Sequence, residues 1–350
     1  MKKYNISTHL IQVIKILYNR ATSAVLFSGS IGDWFWTTVG VQQGCLLSPS
    51  VFNIFPERIM TDALEDHEGT VSFGGRTITN LRFADDIDGL AGEEEELANL
   101  VEHLDKASTA YGMEISAKKT KLRQTTPVAS TQRSKWMDRS LRQSEVSNYL
   151  GSVVTDEGSK PEILCRIAQA TAALTRLKPV WIDKSISLSS KMWLMRSLVI
   201  FIFQYACESW TLTAELQRRI ETMEMRCYHK ILHISYKDQF TNKEVRAKIQ
   251  QAIGPHEDLL TIAKRCKLQW YGHVSCSSGL AKTILQGTVK GGRRQGRQRK
   301  RWGDNIREWT GLEFSKSQMA VENREEWRKL VAKSSVVPQR PSRLRDWWWW

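Results

Sequence analysis

The sequence predicts an α+β fold in which a first part with a small antiparallel sheet precedes a mostly helical second part. Apolar residues recur at helical spacing over residues 7–20 and again from Ser48 onward. Between residues 71 and 91, short runs of β-favouring residues flank a glycine pair and an aspartate pair. After Gly158 the pattern changes to long amphipathic helices. These observations indicate two parts of different structural class.

The first part, residues 1–157, should alternate helices with short strands. The Ser48 hydroxyl is suited to cap a helix in which Pro49 occupies the first turn. Turn-forming pairs between β-favouring residues predict hairpins, because such two-residue loops join antiparallel strands. The helices are expected at residues 7–20, from 48 and at 93–111, and the strands within 22–39 and at 71–73, 77–78, 81–84, 87–91, Met113–Ile115, Thr120–Arg123 and Tyr149–Thr155.

The second part should contain a helical domain over residues 158–275, a basic segment over 276–333 and a disordered tail over 334–350. Within the basic segment, we expect a Gly- and Arg-rich loop at 276–301 and one or two short helices at 302–333. The helices of the middle domain are expected at 160–178, 187–207, 213–233, 241–251 and 257–274. One group of apolar residues in the second of these helices is expected in the core: Trp193, Leu194, Leu198, Phe201 and Tyr205.

Composition favours a folded protein with a polyanionic partner. The 350 residues include 51 Lys or Arg and 37 Asp or Glu, so the net charge is 51 − 37 = +14 with neutral histidine. Nucleic acid is the commonest partner of such a basic chain, although many basic proteins bind none. The longest apolar run, Leu198–Phe203, is far shorter than the roughly twenty residues of a membrane span. Six scattered cysteines without a CxxC pair indicate reduced thiols, and therefore a nuclear or cytoplasmic location.

The segment Phe83-Ala84-Asp85-Asp86 is the first candidate for chemistry. Two adjacent carboxylates repel each other, and a hard divalent cation bound through their oxygens would compensate that repulsion. The apolar residues on both sides argue against a merely solvated turn. An exposed acidic turn without metal remains the alternative. We expect the pair on a β-turn at the floor of a cleft, facing the helix that Ser48 begins.

The segment GVQQGCLLSPSVFN at residues 40–53 is a second candidate, because a glycine-bounded loop leads into a capped helix. Gly44 would let backbone or a ligand approach closely. Taken alone, this segment is equally typical of an ordinary strand-to-helix turn.

The order of motifs resembles that of the reverse transcriptases of non-LTR retrotransposons, over roughly residues 4–333. That family has a segment like GVQQGCLLSPSVFN, then FADD, then a glycine- and lysine-containing element, then YLG. This chain has them at 40–53, 83–86, 112–121 (GMEISAKKTK) and 149–151. The resemblance implies a right-hand polymerase fold: a palm remnant with a small antiparallel sheet, then a helical thumb-like domain and a C-terminal region.

The resemblance also implies roles for individual residues. Asp85 and Asp86 would be the palm-hairpin metal ligands, and Lys119 would assist the leaving pyrophosphate. The nucleotide- and template-binding set would be Gln43, Gly44, Ser48, Pro49 and Phe83, and the primer grip would be Tyr149, Leu150 and Gly151. Ser116, where the family usually has Asn, and Leu47 depart from the family pattern.

One metal ligand of the family has no counterpart in this sequence. The family's first metal-binding aspartate lies in a strand upstream of the helix at 7–20, and no such segment is present, nor are the fingers. We therefore expect an N-terminally truncated domain that holds Mg²⁺ or Mn²⁺ weakly, if at all, because Mg²⁺ needs well-placed carboxylates. The isolated chain should then be a poor polymerase or an inactive one.

The segment 290–301 should bind nucleic-acid backbone. It carries seven cations and no acid, and Trp302 follows it as a possible stacking partner for bases. A solvated loop or a nuclear-localisation signal is the alternative. The cations are Lys290, Arg293, Arg294, Arg297, Arg299, Lys300 and Arg301.

The sequence therefore predicts an RNA-directed DNA polymerase domain whose partners are an RNA template, a DNA primer and deoxynucleoside triphosphates, with no membrane. The second hypothesis is a non-catalytic nucleic-acid-binding fragment of a decayed element. The third hypothesis is a helical scaffold that uses Trp-rich surfaces for protein contacts.

Overall fold

A computed structural model describes six stretches of the chain, which divide into two compact units. The first unit holds residues up to 72 together with 77–120, and the second holds 73–76 and the described residues from 121 onward. The predicted division at residues 157, 275 and 333 is not tested by these units and stays a prediction. The described residues are 1–19, 21–65, 67–123, 142–143, 146–287 and 298–335.

The secondary structure confirms an α+β protein that becomes mostly helical after residue 160. The strands are β1 (Thr22–Ser23), β2 (Leu26–Phe27), β3 (Ser30–Ile31), β4 (Phe35–Trp36), β5 (Ser72–Phe73), β6 (Arg76–Thr77), β7 (Asn80–Phe83), β8 (Asp86–Gly89), β9 (Lys121–Leu122), β10 (Arg142–Gln143), β11 (Val146–Tyr149) and β12 (Ser152–Thr155). The helices are α1 (Thr8–Tyr18), α2 (Ser48–Ala63), α3 (Glu94–Ala110), α4 (Lys160–Arg176), α5 (Lys178–Ile182), α6 (Leu188–Met195), α7 (Phe201–Gln204), α8 (Ala214–Leu232), α9 (Asn242–Ile253), α10 (Leu259–Cys276), α11 (Leu280–Gln286), α12 (Trp302–Thr310), α13 (Phe314–Glu322) and α14 (Arg324–Ser335).

The sheets are small, and each has two strands. Strands β1 and β4, β2 and β3, β7 and β8, and β11 and β12 pair antiparallel. Strands β9 and β10 pair parallel, which the sequence did not predict. Short 3₁₀ turns occur at Lys2–Tyr4, Cys207–Ser209 and Tyr236–Asp238, and a π-helical stretch, Arg196–Ile200, joins α6 to α7.

The first unit is built on α2 and α3, which pack together through polar and aromatic contacts. The guanidinium of Arg58 on α2 donates to the Tyr111 hydroxyl at 3.1 Å, and that hydroxyl donates to Asp62 at 2.9 Å. The Phe55 and Tyr111 rings meet edge to face at a centroid distance of 5.7 Å. The buried apolar residues of this unit are Ile59, Met60, Ala63, Ile78 and Leu100.

The second unit has two larger apolar clusters. The first lies among α4 to α10, and Trp181, Phe203 and Ile220 are at its centre. The second joins α10 to the C-terminal helices, where Tyr271 and Trp327 are buried. Of the residues that the structure describes, none belongs to a helix long and apolar enough to cross a membrane.

Several sequence predictions for local structure are wrong. Met113–Ile115 is not a strand, and Tyr149–Thr155 is a hairpin with its turn at Leu150-Gly151 rather than one strand. The region 276–301 contains helix α11, and residues 302–335 form three helices rather than one or two. The segment 288–297 lies outside the described residues, as does the tail from 336 to 350.

In the helix that starts at Leu188, the residues that are buried are not those predicted. Trp193 and Phe201 are each 67% exposed, so they are not core residues. The buried row is Met195, Val199 and Phe203, at a constant spacing of four residues. The π-helical stretch maintains that spacing, because a π turn contains more residues than an α turn. Leu198 and Tyr205 are likewise exposed, and Leu194 is half-buried against the core.

Candidate metal and nucleic-acid site

The β7–β8 hairpin carries the two aspartates of the FADD segment at its turn. Phe83 pairs with Asp86 across the hairpin, so that Ala84 and Asp85 form a two-residue loop. Ala84 has a φ of 53°, in the left-handed region that costs an alanine roughly 1–2 kcal/mol. The predicted β-turn at the twin acids is therefore confirmed, and its backbone is strained at the residue before Asp85.

The two faces of this hairpin have different surroundings. Arg82 ion-pairs with Glu57 of α2 at 2.8 Å, and a Cβ on Gly89 would lie within 3.4 Å of Leu97 and Leu100 of α3. Cross-strand neighbours share a face, and neighbours along a strand alternate between faces. Asp86 therefore lies on the face opposite to Arg82 and the helices. The expectation that the pair faces the helix begun by Ser48 is wrong for Asp86.

The opposite face groups acidic and apolar residues. Leu81 and Phe83 lie there beside Asp86 and Asp88, and the Phe83 ring is 64% exposed. Partial burial is the larger cause that raises the pKa of Asp88, and the negative charge of Asp86 is the second. Negative charge is thus concentrated on one open face of a short hairpin.

The donor set of this hairpin fits a weakly held Mg²⁺ better than a protein-enclosed metal. Mg²⁺ is commonly bound by one or two carboxylates with several waters and substrate phosphates, and Asp85 and Asp86 are exposed enough to leave room for both. Over the described ranges, no group of three His, Cys, Asp or Glu side chains is close enough together to hold a metal ion. Within these ranges, a cation at the hairpin turn would therefore have two carboxylate ligands from the protein.

The loop that precedes α2 is held by the Ser48 side chain. Ser48 is buried, and its hydroxyl donates to the Gln42 carbonyl at 2.6 Å and lies 3.0 Å from the Tyr18 hydroxyl of α1. It does not cap α2, so the predicted capping role is wrong; Pro49 does occupy the first turn. Gly44 has a φ of 89°, and no atom would contact a Cβ built there. Gln43 and Gly44 are thus exposed on a loop anchored at both ends.

Lys119 lies in an exposed turn near the end of the first unit. Its backbone N–H donates to the Ser116 carbonyl at 3.0 Å, and the Thr120 hydroxyl donates to the same carbonyl at 2.9 Å. Ser116, at the family's usual Asn position, therefore supplies this turn with a backbone acceptor. The Lys119 side chain is exposed.

The YLG segment forms the turn of the β11–β12 hairpin, in the second unit. Leu150 and Gly151 both have positive φ, 47° and 78°, as a type I′ turn requires. The Tyr205 hydroxyl donates to the Leu150 carbonyl, and the Arg166 guanidinium donates to the Gly151 carbonyl at 2.5 Å. Sequence reasoning identified the turn residues but missed Arg166, Tyr205 and Glu162; the spacing of four between Glu162 and Arg166 is the signal that could have found two of them.

The basic segment is described only at its C-terminal end. Arg299 donates to the Asp156 carbonyl, and Lys300 donates to the Leu212 carbonyl at 3.0 Å and ion-pairs with Glu308. Arg301 is exposed immediately before α12. Four of the predicted phosphate-binding cations lie outside the described residues: Lys290, Arg293, Arg294 and Arg297.

Trp302 is engaged within the protein rather than offered to bases. Its indole N–H donates to the Glu208 carbonyl at 2.9 Å, and its ring packs edge to face on Trp270. The ammonium of Lys267 lies 4.4 Å from the centre of the same ring. The suggested stacking role for Trp302 is therefore wrong for the structure described.

The sequence-predicted site residues divide between the two units. The first unit contains Gln43, Gly44, Ser48, Pro49, Phe83, Asp85, Asp86 and Lys119, and the second contains Tyr149, Leu150, Gly151, Arg299, Lys300 and Arg301. Within the first unit, a carboxylate-bearing hairpin and a glycine loop leading into a helix are consistent with the palm of a polymerase.

Comparison with known proteins agrees with that class. Residues 1–154 match the family described as reverse transcriptase (RNA-dependent DNA polymerase). The chain is also 26% identical over 216 residues to an uncharacterized transposon-derived protein of Caenorhabditis elegans, an alignment that covers 57% of this chain and 73% of that protein. These findings support a retrotransposon reverse transcriptase and do not specify its type. Divalent metal ions, a nucleic-acid template and nucleotide substrates are general to this family.

Proposed function

We propose that this chain is the RNA-directed DNA polymerase domain of a non-LTR retrotransposon and adds deoxynucleotides to a primer 3′-hydroxyl on an RNA template. The observation that carries the proposal is the β7–β8 hairpin, which presents Asp85 and Asp86 at an exposed turn. The match of residues 1–154 to the reverse transcriptase family supports the same activity. The proposed cellular setting is the nucleus or the cytoplasm.

Each group of the first unit has a proposed task in this reaction. Asp85 and Asp86 would hold Mg²⁺ or Mn²⁺, which when bound lowers the pKa of the 3′-hydroxyl and neutralises the triphosphate. Lys119 would donate to the leaving pyrophosphate. The Gly44 backbone, open to close approach, would contact the nucleotide or template. Because a catalytic pair of ions needs a further carboxylate beside Asp85 and Asp86, we expect a low rate from this chain alone.

Primer extension tests the proposal. An RNA template annealed to a labelled DNA primer is incubated with the chain, deoxynucleotides and Mg²⁺ or Mn²⁺, and extended products are counted. We expect Asp85→Ala to reduce extension on the order of a hundredfold, because a charge-stabilising group is lost. Asp33→Ala, which removes an exposed aspartate from the loop between β3 and β4 of the same unit, is the matched control. Equal extension by the wild type, Asp85→Ala and a protein-free blank would contradict polymerase activity.

A non-catalytic nucleic-acid-binding role is the second candidate. The net charge of +14 favours it. It is also favoured because the described residues contain no group of three side chains that could hold a metal ion. Binding through about six phosphates predicts that log Kd rises with log salt concentration with a slope of about 4 on a single strand. Salt-dependent binding without extension would support the binding role over the polymerase activity. Binding without salt dependence would contradict the binding role.

A further inference from the structure

The primer-grip turn has a strained backbone. Leu150 adopts a φ of 47°, a left-handed conformation that is unfavourable for a residue with a Cβ. Gly151 follows at 78°, where the absence of a side chain removes that cost. Strain of this kind persists only where the surroundings hold the backbone, and it is concentrated at functional sites. The contacts beneath this turn are therefore informative.

Two side chains from different helical segments bind the two carbonyls of the turn. The Tyr205 hydroxyl, just after α7, donates to the Leu150 carbonyl, and Arg166 of α4 donates to the Gly151 carbonyl at 2.5 Å. These two side chains also contact each other, since the Arg166 guanidinium lies 4.4 Å from the centre of the Tyr205 ring. The turn thus rests on a connected pair rather than on two independent contacts.

A buried glutamate fixes the arginine and the outgoing strand together. One carboxylate oxygen of Glu162 accepts from the Arg166 Nε at 2.6 Å, and the other accepts from the Val153 N–H of β12 at 2.6 Å. Glu162 is 4% exposed and Arg166 8%. A buried ion pair adds little net stability, because the loss of hydration offsets the attraction, but removal of one partner is costly because the other charge stays buried and unpaired. Glu162 thereby links Arg166 to the strand that leaves the turn.

We propose that Glu162, Arg166 and Tyr205 are positioning residues that hold the Leu150-Gly151 turn in its strained form, so that it receives the end of a DNA primer strand. The proposal rests on the proposed function, because that function assigns the turn to the primer. Its distinct content is that primer affinity depends on three side chains outside the YLG segment. Loss of any one of them should loosen the turn, and nucleotide affinity should not change.

Hydrogen exchange of the nucleic-acid-free full chain tests the positioning role directly. We expect Arg166→Gln and Tyr205→Phe to speed amide exchange at residues 150–153 and to leave α8 and α10 unchanged. Tyr205→Phe removes one hydroxyl and keeps the ring over Arg166, so it tests the idea even where Arg166→Gln disturbs folding. Arg176→Gln, the same charge change at an exposed site on α4, is the matched control. Unchanged exchange at 150–153 in both variants would overturn the inference.

Fluorescence anisotropy of a labelled DNA primer on an RNA template supplies the functional readout. We expect Arg166→Gln to raise the Kd about tenfold, the effect of one lost charge-assisted hydrogen bond, and Arg176→Gln to change it less than about twofold. Arg166→Lys should restore affinity only in part, because an ammonium lacks the planar fork that reaches both Glu162 and Gly151. Where extension is measurable, the KM for the primer–template should rise, whereas kcat and the KM for the nucleotide should not change.

The two proposals fail in different ways. A wild-type chain that does not bind the primer–template at all would overturn the proposed function, and with it the assignment of the turn to the primer. Normal wild-type binding, together with unchanged affinity in Arg166→Gln and Tyr205→Phe, would overturn the positioning role alone. Faster exchange at the turn without any loss of affinity would also overturn it.

Discussion

At the scale of single residues, the charge on the open face of the β7–β8 hairpin decides what the hairpin can bind. Asp86 and Asp88 lie two positions apart on one strand, and their side chains are therefore on the same face. The charge of Asp86 contributes to the raised pKa of Asp88. A bound divalent cation would reverse that effect, since it favours the ionised form of nearby carboxyls.

Removal of the Asp86 charge should therefore lower the pKa of Asp88. We expect Asp86→Asn to shift the Asp88 titration to lower pH, because the neighbouring like charge is lost, while burial still holds the value above that of a free aspartate. Carboxyl-carbon NMR titration of the full chain measures this shift. Asp85→Asn is the comparison, since Asp85 lies in the loop rather than on the strand. An Asp88 titration curve identical in wild type and Asp86→Asn would refute the prediction.

At the scale of elements, one buried hydroxyl joins three parts of the first unit. Ser48, at the start of α2, bonds the Gln42 carbonyl of the preceding loop and contacts Tyr18 of α1. The loop between them carries Gln43 and Gly44, two of the residues proposed to meet the nucleotide or template. The side chain expected to cap a helix thus anchors a loop instead.

Loss of this hydroxyl should destabilise the first unit and loosen its loop. We expect Ser48→Ala to cost about 1–2 kcal/mol, because the Gln42 carbonyl and the Tyr18 hydroxyl each lose a partly buried hydrogen-bond partner. Urea unfolding gives the free energy, and hydrogen exchange at residues 40–47 locates the effect. Ser50→Ala, exposed on the same helix, should stay within about 0.5 kcal/mol. A similar cost for both variants would speak against the anchor.

Elements with a clear apolar face were predictable from sequence, and elements without one were not. Helices α1, α3, α4 and α8 lie close to their predicted bounds because their apolar residues repeat at helical spacing. The strand expected at Met113–Ile115 failed because β-favouring residues form a strand only when a partner strand pairs with them. Trp193 and Phe201 were misplaced because that helix is apolar on nearly every face, so that periodicity could not identify the outward row.

The same reasoning explains the outcome for the candidate site. Motif residues such as Asp85 and Gly151 were found because their types and order are distinctive. The side chains that hold the YLG turn, Arg166 and Tyr205, are 15 and 55 residues away from their partner carbonyls. No local pattern links such distant positions, so their role emerges only from the tertiary structure.

At the scale of the whole molecule, burial is divided unevenly between the two units. Among the described residues, the first unit has few buried apolar residues, which lie around α2 and α3, whereas the second unit has two extensive apolar clusters. Polar groups also lie deep in the second unit. Lys267 is fully buried, and its ammonium donates to the Trp210 carbonyl at 2.7 Å and to the Asn305 side chain at 3.1 Å.

The buried lysine should make the stability of the second unit depend on pH. Burial, and next the nearby charge of Lys300, lowers the pKa of Lys267 to about 6. The unfolded chain, with a lysine pKa of about 10.4, binds this proton over the interval between those values, so the free energy of unfolding should rise with pH by up to about 1.4 kcal/mol per unit.

Substitution of this lysine isolates its effect. We expect Lys267→Met to flatten the rise in unfolding free energy between about pH 6.5 and 9, while Lys230→Met, exposed on α8, retains it. Denaturant unfolding at a series of pH values, followed by a probe in the second unit, measures both. The same slope in wild type and Lys267→Met would show that burial does not displace the proton.

The π-helical stretch at Arg196–Ile200 sets the rotational phase of all that follows it. It contains Val199 of the buried row and precedes Tyr205, whose hydroxyl reaches a carbonyl of the β11–β12 turn. If the same residues were wound as a regular α-helix, Tyr205 would be rotated by about 100° about the helix axis. One extra residue in a helix thus decides whether a distant turn has its support.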